Sequence, residues 1–210
     1  MKYMLLLLAM LLASFAVETL AQKFVTKDGL VYQEASEKPY SGERIMHYKT
    51  GQLYWKSNYK EGKMEGLGEA FHENGKLKQT SNYKNGKRDG LFELYHENGK
   101  LKHTSNYKDG KKEGLVEAYS DNGKLKNQWN YKDDKRDGLA KTYRENGNLK
   151  WQTNYKNGKA DGLAKTYREN GNLKWQTNYK NGKIDGFVDT YDDGGNLKYR
   201  WSYKDGKRED

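Results

Sequence analysis

Apolar residues along this chain come in short runs, each closed by turn residues. Leu67 to His72 and Leu77 to Lys84 are two such runs, separated by Asn74 and Gly75 and ended by Asn85 and Gly86. Asn followed by Gly supplies the positive φ angles of tight hairpin turns, so both connections read as hairpins. The same pattern recurs every 24 residues, at Gly66, Gly90, Gly114, Gly138, Gly162 and Gly186, with a worn copy at Gly42. Seven units therefore tile positions 42–209 without an insertion, the mark of a repeat architecture. With a turn signal every ten to fourteen residues no useful helix fits, and the pattern predicts an all-β, elongated antiparallel meander.

Side chains on a strand alternate faces with period two, and the 24-residue period is even, so each position keeps its parity in every unit. The odd set is apolar and aromatic: Leu67, Phe71, Leu77 and Tyr83, their counterparts through Leu163, Tyr167, Leu173 and Tyr179, and all five tryptophans, Trp55, Trp129, Trp151, Trp175 and Trp201. The even set is mostly polar, as in Lys78, Thr80, Asn82 and Lys84. If both strands of a hairpin present odd residues to one side, the loops hold an odd number of residues. That expectation favours three-residue turns with a Gly bulge, and places Phe71 opposite Leu77 and Tyr83 opposite Leu91. At about 4.8 Å per strand, seven units make a ribbon on the order of 65 to 70 Å long.

Composition refines this picture. Only 34% of residues are hydrophobic and 32% are charged, a balance typical of disorder, yet the 13% that are aromatic fall at fixed places in the unit, which a merely solvated chain does not need. Lys2, the apolar run Met4 to Val17 and then Thr19, Leu20 and Ala21 have the layout of a signal peptide over residues 1–21, with Gln22 as the mature start. Residues 22–41 read as an N-terminal cap with a partial repeat, and the chain as exported to periplasm, cell surface or medium. The chain has no cysteine, which excludes disulfides, thiolate metal sites and a lipoprotein thiol. The net charge of +10 survives removal of the leader, because Lys2 and Glu18 cancel, and it favours polyanions or anionic membranes in general.

Gly-Leu, an aromatic residue four positions after that Leu, Glu-Asn-Gly, Leu-Lys and Asn-Tyr-Lys-Asn-Gly-Lys together make a unit that resembles the MORN repeat, in its 24-residue variant of bacterial YwqK-type proteins. The resemblance spans roughly 29–209, and Lys38 to Gly42 looks like the opening of a first repeat. It implies a hairpin array without a catalytic centre or cofactor, used in protein contacts, membrane association or scaffolding.

The residues offer no competing chemistry. His72 and His96 occupy one place in adjacent units, roughly 10 Å apart by strand spacing, too far to share a zinc ion. Asp192, Asp193 and the tail from Lys204 to Asp210 lack the alternating acidic spacing of a calcium loop. No serine, histidine and aspartate suggest a nucleophile with its base.

Two candidate surfaces remain. The first is the aromatic set Tyr143, Trp151, Tyr155, Tyr167, Trp175 and Tyr179, carried by two units that are identical over 22 residues and therefore present matched rings. It reads either as a self-buried stripe serving as the core or as a face for a protein partner or a second copy. The second is the lysine ladder Lys78, Lys102, Lys126, Lys150, Lys174 and Lys198, with Lys84, Lys108, Lys132, Lys156 and Lys180 beside it, suited to anionic lipid or another polyanion or simply to solubility. Nucleic acid is the poorest fit for an exported chain.

Overall fold

The computed structural model describes residues 23–209; the leader expected over 1–21 lies outside them. β1 (Phe24–Lys27) and β2 (Leu30–Gln33) form a small hairpin. β3 (Gly42–His47), β4 (Leu53–Lys60), β5 (Lys63–Phe71), β6 (Leu77–Lys84), β7 (Lys87–Tyr95), β8 (Leu101–Lys108), β9 (Lys111–Tyr119) and β10 (Leu125–Lys132) follow. The chain continues with β11 (Lys135–Arg136), β12 (Gly138–Tyr143), β13 (Leu149–Lys156), β14 (Lys159–Tyr167), β15 (Leu173–Lys180), β16 (Lys183–Tyr191), β17 (Leu197–Lys204) and β18 (Lys207–Arg208). β3 to β18 make one open antiparallel sheet of 16 strands, ordered as in the chain, with β11 and β12 both paired to β10. This is the all-β meander expected from the repeat.

Two kinds of turn alternate along it. After the first strand of a unit, His72 N–H donates to Lys76 O (2.8 Å) and Gly75 takes φ +79°, which leaves the three-residue loop Glu73–Asn74–Gly75 and sets Phe71 opposite Leu77 as expected. After the second strand the turn has only two residues, Asn85 (φ +51°) and Gly86 (φ +79°), between the paired Lys84 and Lys87. Tyr83 therefore faces Arg88 and not Leu91, and Leu91 pairs with Asn106.

Bulges complete the departure from simple parity. Ala70 pairs with Gln79 and Phe71 with Leu77, so Lys78 is skipped. Between β6 and β7, Ser81 pairs with Phe92 while Tyr83 pairs with Arg88, so two extra residues are absorbed around Asp89 and Gly90 (φ +107°). Even residues of a first strand consequently share a face with odd residues of the second, and the single odd face expected from the sequence does not form. Gly68, Ala70, Ser81 and Tyr83 lie on one side; Leu67, Glu69, Thr80 and Asn82 on the other.

Neighbouring units are stitched through their turns. From Gly66 on, the acid before a unit glycine accepts from the next two-residue turn, as in Glu65 Oε2 from Asn85 N (2.9 Å), Asp137 Oδ2 from Asn157 N (3.0 Å) and Asp161 Oδ2 from Asn181 N (3.0 Å). At the other edge Arg144 and Arg168 donate to Tyr167 O and Tyr191 O, one repeat on. Nearest-neighbour bonding of this kind gives a solenoid-like array its cohesion. The N-terminal hairpin is tied to the first turn by Val31 N to Gly62 O (2.9 Å) and Gly62 N to Tyr40 O (2.7 Å).

Candidate functional site

A single sheet has no second layer to bury a core, and this one makes its core from its own rings. The middle rung of one face carries small residues: Ser57, Ser81, Ser105, Ala140, Thr153, Ala164 and Thr177 are all at most 2% exposed. Large side chains on the flanking rungs fold over them. A methyl group built on Gly68 would lie 2.9 Å from the Trp55 ring and 3.1 Å from the Tyr83 ring. Trp151 and Tyr155, whose ring centres are 6.5 Å apart and edge to face, stand on either side of Thr153 along β13. Where the outer rung is small or polar, at Gln79 and His103, the middle rung carries the bulk instead, as Phe92 and Val116.

Cations cover the other end of this face. The Arg88 guanidinium lies over Phe92 (4.6 Å) and Tyr107 (5.4 Å), and that of Arg136 over Trp129 (5.5 Å) and Tyr155 (5.4 Å). Stacked in this way the basic side chains are part of the packing. Burial, with Lys112 nearby, holds His103 below the ordinary histidine value.

The opposite face is organised differently. Its central row runs across the sheet as Lys56, Glu69, Thr80, Glu93, Thr104, Glu117, Gln128, Lys141, Gln152, Lys165, Gln176, Asp189 and Arg200, each paired with the next. On one side of this row lie Leu67, Leu91, Leu115 and Phe187, each at least 40% exposed. On the other are tyrosines. Tyr95 donates to Glu93 (2.8 Å) and Tyr119 to Glu117 (2.8 Å), and burial plus the adjacent carboxylate pushes both phenols up to about 12.

The six candidate aromatic residues are thus divided. Trp151, Tyr155, Trp175 and Tyr179 stand together, half-buried, on the ring-covered face. Tyr143 and Tyr167 stand on the other, where Tyr143 donates to Gln128 Oε1 (2.9 Å), because the Lys150 and Lys174 bulges reverse the parity. Lys78, Lys102, Lys126, Lys150, Lys174 and Lys198 are all exposed, and each is the residue skipped at the bulge of its hairpin. Lys102 and Lys126 line a depression of about 850 Å³ with Lys124, Arg144, Asp121 and Glu145. The partner lysines Lys84, Lys108, Lys132, Lys156 and Lys180 face Lys87, Lys111, Lys135, Lys159 and Lys183 across the two-residue turns. No cluster of three acidic or histidine side chains that could hold a metal ion occurs among the described residues.

The model of the MORN repeat variant matches residues 64–85, 88–109, 112–133, 136–157 and 160–181, just over half of the chain. The chain belongs to the MORN repeat variant family. MORN repeats are non-enzymatic modules for contacts with proteins or lipids. Each matched window covers one three-residue turn and the two strands it joins, so the family pattern coincides with the structural repeat seen here. No curated protein sequence matches this MORN chain. Two solved structures align at 14% identity: a mutant of S. aureus TarM in complex with fondaparinux, alpha-GlcNAc-glycerol and UDP, and a second TarM structure, with TM-scores of 0.31 and 0.30. They cover 46% and 45% of this chain, which spans 19% and 20% of theirs, and likeness at that level carries no argument.

One feature of the MORN array was missed by parity. Position 93 and its repeats read Glu69, Glu93, Glu117, Lys141, Lys165 and Asp189, a change of sign half-way along one row. Following that single position from unit to unit would have found it in the sequence.

Proposed function

We propose that this MORN chain is an exported, non-enzymatic scaffold that holds a protein partner against its ring-covered face. The observation that carries the reading is the matched set Trp151, Tyr155, Trp175 and Tyr179, half-buried over two units identical across 22 residues, with no second layer above them among the described residues. Large rings already fixed against Thr153 and Thr177 lose little side-chain freedom on binding, which is why such residues dominate protein interfaces. Replacing Trp151 and Trp175 by Ala should abolish retention of an envelope protein that the unaltered chain retains, with strand content unchanged by circular dichroism; undiminished retention would count against it. Recovery of the protein outside the cytoplasm with Gln22 at its amino terminus tests the export.

A second reading, binding of anionic lipid or another polyanion, is favoured by the six bulge lysines, which are exposed and regularly spaced. Binding to vesicles containing phosphatidylglycerol should then weaken steeply between low and physiological salt, and binding indifferent to salt would rule it out.

A further inference from the structure

The face away from the tryptophans carries a charge pattern that its own chain leaves incomplete. At the two ends of the central row the charges are satisfied within the chain: Lys56 Nζ lies 2.7 Å from Glu69, and Arg200 Nε lies 2.6 Å from Asp189. In the middle they are not. Glu93 and Glu117 are half-buried, accept only from neutral Thr80, Tyr95, Tyr119 and Gln128, and have no cation within 4.0 Å among the described residues. Lys141 and Lys165 are equally half-buried, and no carboxylate among the described residues lies within 4.0 Å of either. Partly desolvated charges without a counter-charge are costly, and two of each sign sit in one row.

The row is self-complementary. It reads outward from Gln128 as Glu117, Thr104 and Glu93 on one side and as Lys141, Gln152 and Lys165 on the other. A twofold axis parallel to the strands, passing over Gln128, sets Glu117 against Lys141 of a second copy, Thr104 against its Gln152, and Glu93 against its Lys165. The same operation lays Leu115 on Leu139 and Tyr119 on Tyr143. A twofold axis perpendicular to the strands would instead set each Glu against itself, so the charges select one arrangement. We infer that this face is the contact surface of a homodimer, in which two sheets pack face to face in opposite order through Glu93, Glu117, Lys141 and Lys165.

The size of the patch is adequate. Seven strands, β7 to β14 without β11, at about 4.8 Å spacing, and five to six residues along each, give on the order of 600 Å² of sheet per copy and about 1,200 Å² for the pair, the lower end of stable interfaces. Exposed leucines beside the row, Leu91 at 40% and Leu115 at 42%, supply the apolar part. The dimer leaves the tryptophan face free, and so stands independently of the partner proposed for that face.

The test is charge reversal in the full chain, read by sedimentation velocity at low salt. The unaltered chain should be a dimer that dissociates as salt is raised. Lys141→Glu with Lys165→Glu makes the four charges in the middle of the row all acidic, and Glu93→Lys with Glu117→Lys makes them all basic. Each double variant should be monomeric, with association at least about 100-fold weaker, since juxtaposed like charges cost several kcal/mol. An equimolar mixture of the two variants should restore a dimer containing one copy of each. The inference is overturned if the unaltered chain stays monomeric at every concentration, whatever else the face binds. It is overturned as well if the acidic variant still dimerises, or if the mixed variants, folded by circular dichroism, do not associate.

Discussion

The two faces of this sheet are built from alternate residues of the same strands, yet they solve opposite problems. On one, Phe92 is 8% exposed and Val116 1%, under rings and guanidinium groups supplied by neighbouring rungs. On the other, Leu91 and Leu115, their immediate predecessors, remain at least 40% exposed beside a row of charges. The difference lies in the flanking rungs: Trp and Tyr reach across small residues on the first face, whereas Glu, Lys and Gln on the second leave Leu91 and Leu115 open. A one-layer protein can therefore bury a core without a second layer, provided that large and small side chains alternate from rung to rung.

The contrast is broken most directly by truncation. Phe92→Ala should cost about 3 kcal/mol in urea unfolding and Leu91→Ala less than about 1 kcal/mol. Equal costs would mean that the faces are misassigned. Gly68→Val should cost about 2 kcal/mol, because its side chain must displace the Trp55 and Tyr83 rings. A loss below a few tenths would show that no ring covers the position.

The charged face has its own pH signature. Asp189, 3% exposed, is held below the ordinary carboxylate value chiefly by its bond to Arg200. A depressed folded value contributes stability that is present above the unfolded carboxylate value, near pH 4, and lost as pH falls through the folded one. Arg200→Gln should therefore lower the unfolding temperature most at neutral pH, with the gap from the unaltered chain closing as the solution is acidified below about pH 4. A gap that widens in acid would contradict the pairing.

The smallest effect separates two units identical over 22 residues. The Thr153 hydroxyl is buried under rings without a hydrogen-bond partner, whereas Thr177 donates to Phe187 O (3.0 Å). Thr153→Val should stabilise by about 1 kcal/mol and Thr177→Val destabilise by about as much. Effects of the same sign would mean that both hydroxyls share one environment.

Much of the architecture is legible in the residues themselves. The 24-residue period, the two strands per unit, the Asn-Gly turns and the pairing of Phe71 with Leu77 all follow from local turn chemistry and alternation. The distribution of side chains over two faces does not. A one-residue bulge reverses parity while leaving composition unchanged, and Lys78 carries no mark in the sequence of being the skipped residue. The two-residue turn at Asn85–Gly86 was further obscured because it sets Lys84 directly against Lys87, a like-charged pairing that cross-strand rules disfavour. Parity alone groups Tyr143 and Tyr167 with the tryptophans, from which the fold separates them.

Register between β6 and β7 decides which residues of adjoining units share a face, and a chain without cysteine lets it be measured cleanly. A disulfide forms only between cysteines whose Cα atoms are near and whose Cβ atoms point to the same side. With Thr80 paired to Glu93, the variant Thr80→Cys with Glu93→Cys should oxidise readily within one chain, and Thr80→Cys with Leu94→Cys should not. Cross-linking of the Leu94 pair in place of the Glu93 pair would restore a single odd face and contradict both surfaces described here.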